Sequence, residues 1–199
     1  MSLFGLFTYV FAFLLALSMH EFAHGAVSYR LGDPTPAYAG RLTLNPLAHL
    51  DLMGSLAFLI SIQAGLGFGW AKPVPVDPRY YRNYKKGLVL VGLAGPLANF
   101  TLAFVFSLLL KVLINNPFWV QFLLINILVN ISLGVFNLVP IPPLDGSKVL
   151  YGLLPYRYTY RWYKFEQYGP LILLLLVFSG VIGQIVRPMI VLLQRLFLL

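Results

Sequence analysis

His20-Glu21-Phe22-Ala23-His24 sets two imidazoles four residues apart, on one face of a helix. From there both can reach a single metal ion. The glutamate between them can reach a water at that ion and take its proton. This is the H-E-x-x-H pattern of zinc hydrolases. It is flanked by Phe11-Ala12-Phe13-Leu14-Leu15-Ala16-Leu17, which reads as membrane. Ionisable groups in such a helix cost roughly 2.5–3.5 kcal/mol each, and a bound metal would offset that cost. A catalytic zinc takes three protein ligands and keeps one position open. The chain has no cysteine, so the third ligand must come from His49, Asp51, Asp77, Asp33, Glu166 or Asp145. Asp145 is favoured. It follows a polar membrane segment and lies in Pro140-Ile141-Pro142-Pro143-Leu144-Asp145-Gly146. Irregular backbone at membrane depth must line a cavity or be covered by protein, and Gly146 lets backbone approach closely.

The elements that must position these groups belong to a bilayer. Of 199 residues, 59% are hydrophobic and 10% charged, where a soluble domain has about 25% charged. The expected fold is an all-α polytopic membrane protein, one domain over residues 1–199. The formal net charge is +8. The Lys and Arg residues cluster between apolar runs, which fits loops facing anionic lipid rather than nucleic acid. Disulfides and a cysteine nucleophile are excluded. The N-terminal apolar run lacks a basic leader and carries the metal motif, so it is not read as a signal peptide.

Four spanning helices are expected, over residues 4–29, 87–113, 117–138 and 169–186. Arg187-Pro188 should break the last of them or kink its continuation to Leu199. Residues 35–44 partly alternate and are expected to form a short extended or β segment. Residues 52–68 are apolar but near the lower length limit for a span of about 17–25 residues, and a re-entrant segment is preferred to a fifth crossing. Lys72-Pro73-Val74-Pro75-Val76-Asp77-Pro78 should be extended, because its prolines forbid a helix. With residues 52–68 re-entrant, Arg30, Arg41, Lys72, Arg79, Arg82, Lys85 and Lys86 share one side with Lys148, Arg157, Arg161 and Lys164. That side is cytoplasmic by the positive-inside rule. The aromatic stripe at 156–168 is expected to be an interface belt. Asn99 is expected to make an interhelical hydrogen bond. Asp51 reads as a helix cap. His49 reads either as an extra metal ligand or substrate contact, or as a polar helix start.

Three motifs, in order along the chain, carry a resemblance: His20-Glu21-Phe22-Ala23-His24, Ala94-Gly95-Pro96-Leu97-Ala98-Asn99, and Asn137-Leu138-Val139-Pro140-Ile141-Pro142-Pro143-Leu144-Asp145-Gly146. Together they resemble the site-2 protease family of intramembrane zinc metalloproteases, in a compact prokaryotic form. No segment is long and polar enough for the PDZ or CBS domain that many members carry. The resemblance implies one zinc ion held by His20, His24 and Asp145, with Glu21 as catalytic base. It also implies a cytoplasm-proximal site and transmembrane or membrane-anchored protein substrates that unwind before cleavage. An extended segment after the first motif helix would pair with substrate, and residues 35–44 offer that edge. Asn137 could donate a hydrogen bond to substrate or to the tetrahedral oxyanion. A non-catalytic scaffold or metal transporter could use the same metal site, but it has no use for a base between two ligands.

Overall fold

The computed structural model describes residues 2–63 and 69–199. Four helices are long and apolar enough to cross a membrane: α1 (Leu3–Arg30), α5 (Tyr84–Leu113), α6 (Pro117–Asn137) and α9 (Val181–Leu198). Other helices connect them: the short α2 (Thr35–Tyr38), α3 (Pro46–His49), α4 (Leu52–Gln63) and α7 (Asp145–Leu153), and the longer α8 (Thr159–Phe178). The chain is an all-α polytopic membrane protein. Side-chain caps start three of the four spans. Ser2 accepts the Gly5 N–H at 3.1 Å, Asn83 accepts that of Lys86 at 3.0 Å, and Asn116 accepts that of Phe118 just before Pro117 opens α6. Each cap satisfies an orphan donor that lipid could not.

α5 is the central strut, packed along α1, α6 and α7. Ala103 of α5, Ile127, Ile131 and Val135 of α6, and Ile182 and Val186 of α9 form one buried cluster. Between α1, α5 and α6 the contact is polar. Asn99 donates to Asn130 Oδ1 at 3.0 Å and to the Ala16 carbonyl at 2.9 Å. In lipid, packing and such interhelical bonds replace the hydrophobic effect as glue.

The re-entrant expectation for the 52–68 insertion agrees with the described part of it; residues 64–68 lie outside the described residues. α4 has 12 residues, a rod of about 18 Å against about 30 Å of hydrocarbon. Its flanks meet again: Leu50 and Ala71 form an isolated antiparallel bridge, and the Lys72 N–H donates to the His49 carbonyl at 2.9 Å. The two flanks of the insertion therefore meet at one point, the arrangement a re-entrant segment needs. α4 leans on α1 through Phe58 and Phe13, whose rings stack with centroids 3.9 Å apart.

Two expectations are corrected. Residues 35–44 are not a β segment, and no strand occurs among the described residues. Asp33 Oδ1 accepts the Thr35 N–H at 2.9 Å, which starts the turn of α2 instead, and the Arg41 N–H then closes back on the Pro36 carbonyl at 2.9 Å. The last span is not 169–186. Gly180, with φ +77, takes a left-handed conformation that favours glycine and separates α8 from α9. The span-length helix is Val181–Leu198, and it runs on through Pro188.

Candidate metal centre

α1 carries His20, Glu21 and His24, all buried (4%, 9% and 5% exposed). Asp145, the first residue of α7, comes to the same point from 125 and 121 residues away. Its Oδ2 lies 2.9 Å from Nε2 of His20 and 2.9 Å from Nε2 of His24, and the two Nε2 atoms are 3.0 Å apart. Among the described residues, His20, His24 and Asp145 are the group able to hold a metal ion.

The outer nitrogens decide what the inner ones can do. His20 Nδ1 donates to Asn99 Oδ1 at 2.7 Å. His24 Nδ1 donates to the Val91 carbonyl at 2.7 Å. The amide orientation of Asn99 is itself fixed, since its nitrogen is committed to Ala16 and Asn130. In neutral imidazoles protonated on Nδ1, each Nε2 presents a lone pair. Two such lone pairs and a carboxylate oxygen then face one another at 2.9–3.0 Å. A shared metal ion relieves that repulsion, as a proton on one imidazole would. Two imidazoles and a carboxylate are the donor set of open catalytic zinc sites. The three atoms are close enough together to bind one ion in common.

α5 supplies no ligand, yet it shapes the site. A Cβ on Gly95 would lie 2.5 Å from His24 Nε2 and 2.6 Å from His20 Nε2, so only glycine leaves the imidazoles their room. One turn earlier, a Cβ on Gly92 would meet the Asp145 carbonyl and Val149 at 3.0 Å. The small residues that sequence reading assigned to helix packing thus bring α1 and α7 together over one strut.

The metal group opens into a cavity of about 120 Å³, lined also by Glu21, Asn137 and Lys148. Lys148 donates to Asp145 Oδ1 at 2.8 Å, leaving Oδ2 for the histidines. Asn137 lines the cavity, with its amide nitrogen donating to the Leu133 carbonyl of its own helix at 3.0 Å. The far wall is the proline-rich segment 72–78: Pro73, Val74 and Val76 line the cavity, and the Val74 N–H donates to Glu21 Oε2 at 2.8 Å.

The other sequence candidates are elsewhere. His49 is fully buried, but its Nε2 bonds the Thr43 carbonyl at 2.8 Å, and it is not one of the converging group. Asp51 caps α4 through the Gly54 N–H at 2.8 Å. Asp77 caps and pairs with Arg79. Asp33 takes the Ser28 hydroxyl and the N–H groups of Thr35 and Asp77. Burial pushes its carboxyl up, but those hydrogen bonds outweigh it and hold the group below the usual aspartate range. Asn99 makes the interhelical hydrogen bonds expected of it, to Asn130 and Ala16; sequence reading missed that it also holds His20, and missed the roles of Lys148, Val74 and Asp33 around the site. Only Asn99 carried a signal: it lies one helical turn after Gly95.

The chain is similar to proteins named as zinc metalloproteases. A family model described as peptidase family M50 matches residues 112–179. "Putative zinc metalloprotease YwhC" of Bacillus subtilis is 36% identical over 189 residues, covering 90% of this chain and 84% of that one. "Putative zinc metalloprotease Rip2" of Mycolicibacterium smegmatis is 35% identical over 156 residues, 75% of this chain and 59% of its own length. "Zinc metalloprotease MJ0392" of Methanocaldococcus jannaschii is 34% identical over 76 residues, 38% of this chain and 22% of its own. No solved structure matches the chain. With YwhC matched over most of both chains and three ligand-type side chains converging under the H-E-x-x-H helix, the chain belongs to peptidase family M50, the site-2 protease family.

Proposed function

We propose that this protein is an intramembrane zinc endopeptidase that hydrolyses peptide bonds in or near transmembrane segments of membrane proteins. The observation that carries this reading is the convergence of His20, His24 and Asp145, with Glu21 in the same buried cavity, on a helix long and apolar enough to span a bilayer. His20, His24 and Asp145 would hold the zinc, which when bound acidifies water and polarises a carbonyl oxygen.

The chain's own residues supply the rest. Glu21 takes a proton from the attacking water as oxygen bonds to the scissile carbonyl carbon. When the C–N bond breaks, Glu21 returns that proton to the leaving amine. Asn137 donates its free amide hydrogen to the substrate carbonyl. A cavity of about 120 Å³ has no room for a turn of helix about 10 Å across, which supports unwinding of a helical substrate before cleavage.

His24 is six residues from Arg30 at the end of α1, so the metal group is about 10 Å inside that end. The same end carries the basic clusters before α5 and after α6. By the positive-inside rule that side is cytoplasmic. We place the protein in a prokaryotic inner membrane, with residues 1–199 acting as one domain.

The test compares wild type with Glu21→Gln, purified in detergent, for zinc content and cleavage of a model transmembrane substrate. Both should hold one zinc, and cleavage should fall by about 10²–10⁴-fold in the variant, the usual contribution of a general base. Zinc retained with cleavage unchanged would refute the role of Glu21. Metal flux in proteoliposomes without any cleavage would refute the peptidase reading.

A further inference from the structure

Asp33 is fully buried, lies outside the spans, and is no part of the metal group. Its Oδ2 accepts the Ser28 hydroxyl at 2.7 Å and the Asp77 N–H at 2.8 Å, and its Oδ1 accepts the Thr35 N–H. Ser28 Oγ is also 2.7 Å from the Tyr81 hydroxyl, which donates to it because Ser28 has spent its own hydrogen on Asp33. A carboxylate that merely ended α1 would need Ser28 and Thr35. It would have no use for Asp77, which is 44 residues away.

Asp77 closes the strap 72–78. The other end is tied by the Lys72 N–H to His49, and the middle is tied by the Val74 N–H to Glu21. Val74 is buried over Gly25, where a Cβ would meet its Cγ1 at 3.3 Å. Glu21, Gly25 and Ser28 lie on one face of α1, at i, i+4 and i+7, and the strap runs along that face. Residues 73, 75 and 78 are proline, which fixes φ and stiffens the segment. Three residues, about 10 Å of extended chain, separate the Asp77 anchor from the Val74 N–H.

We propose that Asp33 is a positioning residue for Glu21, acting through this strap. By holding the Asp77 N–H it keeps the strap in the register where the Val74 N–H fixes Oε2 of Glu21, leaving Oε1 for the water to be deprotonated. The proposal rests on the reading of Glu21 as base.

The test uses Asp33→Ala, Val74→Pro (which removes the N–H in the middle of the strap that holds Glu21) and the double variant. In both single variants, zinc content should stay near one per chain and KM should stay within about twofold. kcat should fall by about 30–100-fold, the scale of a misplacement near 1 Å. The double variant should lose no more than the worse single one, because both act on one linkage. Amide exchange needs no substrate: Asp33→Ala should speed exchange at the Val74 N–H by about tenfold or more as the strap loosens. If Asp33→Ala does not fold, Asp33→Asn, which keeps the acceptor Oδ1, carries the same measurements. A kcat within about threefold of wild type, additive losses, zinc lost along with activity, or unchanged exchange at Val74 would each overturn the proposal. A wild type that cleaves nothing overturns the peptidase reading instead, and the exchange measurement still decides whether Asp33 holds the strap.

Discussion

Gly95→Ala tests the geometry of the metal centre. Alanine is the better helix former, by about 0.8–1.0 kcal/mol in a helix interior, so α5 itself should gain from the change. The added Cβ, however, would lie 2.5 Å from His24 Nε2 and 2.6 Å from both Nε2 and Cε1 of His20, against 3.4 Å and beyond for ordinary contact. Both rings must retreat by about 0.8 Å, several times the ±0.2 Å or so within which metal–ligand distances hold. Neither ring can retreat freely, since His20 is tied to Asn99 and His24 to the Val91 carbonyl. Zinc affinity should therefore fall by at least about 100-fold, which is about 2.7 kcal/mol, while the metal-free protein keeps its helicity and loses about 1–3 kcal/mol to overpacking, offset in part by the helix propensity of alanine. Chelator competition gives the first quantity, and circular dichroism with thermal unfolding of the apo form gives the second. Gly183→Ala on α9, where a Cβ meets nothing within 4 Å, is the control and should bind zinc as wild type does. A Gly95→Ala protein with wild-type zinc affinity would refute the geometry on which the metal centre is built.

The same contacts set three other outcomes. Asn99→Ala leaves His20 Nδ1 without its acceptor and should cost about 10–100-fold in zinc affinity, read by the same competition. Asn130→Ala, one hydrogen bond further out, should cost less. Asp33 has a pKa below its unfolded value of about 3.9. Its contribution to stability is therefore present above about pH 4 and lost as pH falls through the lower folded value. Thermal unfolding measured from about pH 6 down to pH 3 should show that loss in wild type and lack it in Asp33→Asn; identical profiles would refute the assignment.

Much of the fold was legible because periodicity and caps are local. α1, α5 and α6 begin and end within a few residues of their apolar runs, since Ser2, Asn83 and Asn116 cap them and Pro117 opens the third. The last span was not legible. Leu171 to Val177 is as apolar as any span, and hydropathy carries no sign that Gly180 would turn left-handed or that Gly169 would pack on Pro142. Residues 35–44 failed for another reason. Alternation there was real but short, and one side-chain acceptor, Asp33 Oδ1, was enough to start a turn instead. His49 shows the limit of residue type: its ring is buried and bonded to the Thr43 carbonyl, and nothing in its flanks distinguishes that from ligation.

The metal triangle is set by a helix that donates nothing to it. His20 and His24 are four apart on α1, and any helix would place them on one face. Asp145 is more than a hundred residues on, and no local rule brings it there. What does so is α5, through three positions. Gly95 clears room under both imidazoles, Gly92 lets α7 press its first turn against the strut, and Asn99 turns His20 so that Nε2 points inward. In sequence these read as a small-residue packing helix with one polar residue, which is also what an ordinary membrane contact looks like. The difference lies only in what the glycine faces touch. Spacing could therefore single out His20 and His24, and local context could favour Asp145 as a candidate third ligand, but the reason the three meet became visible only once α1 and α7 were seen on the same strut.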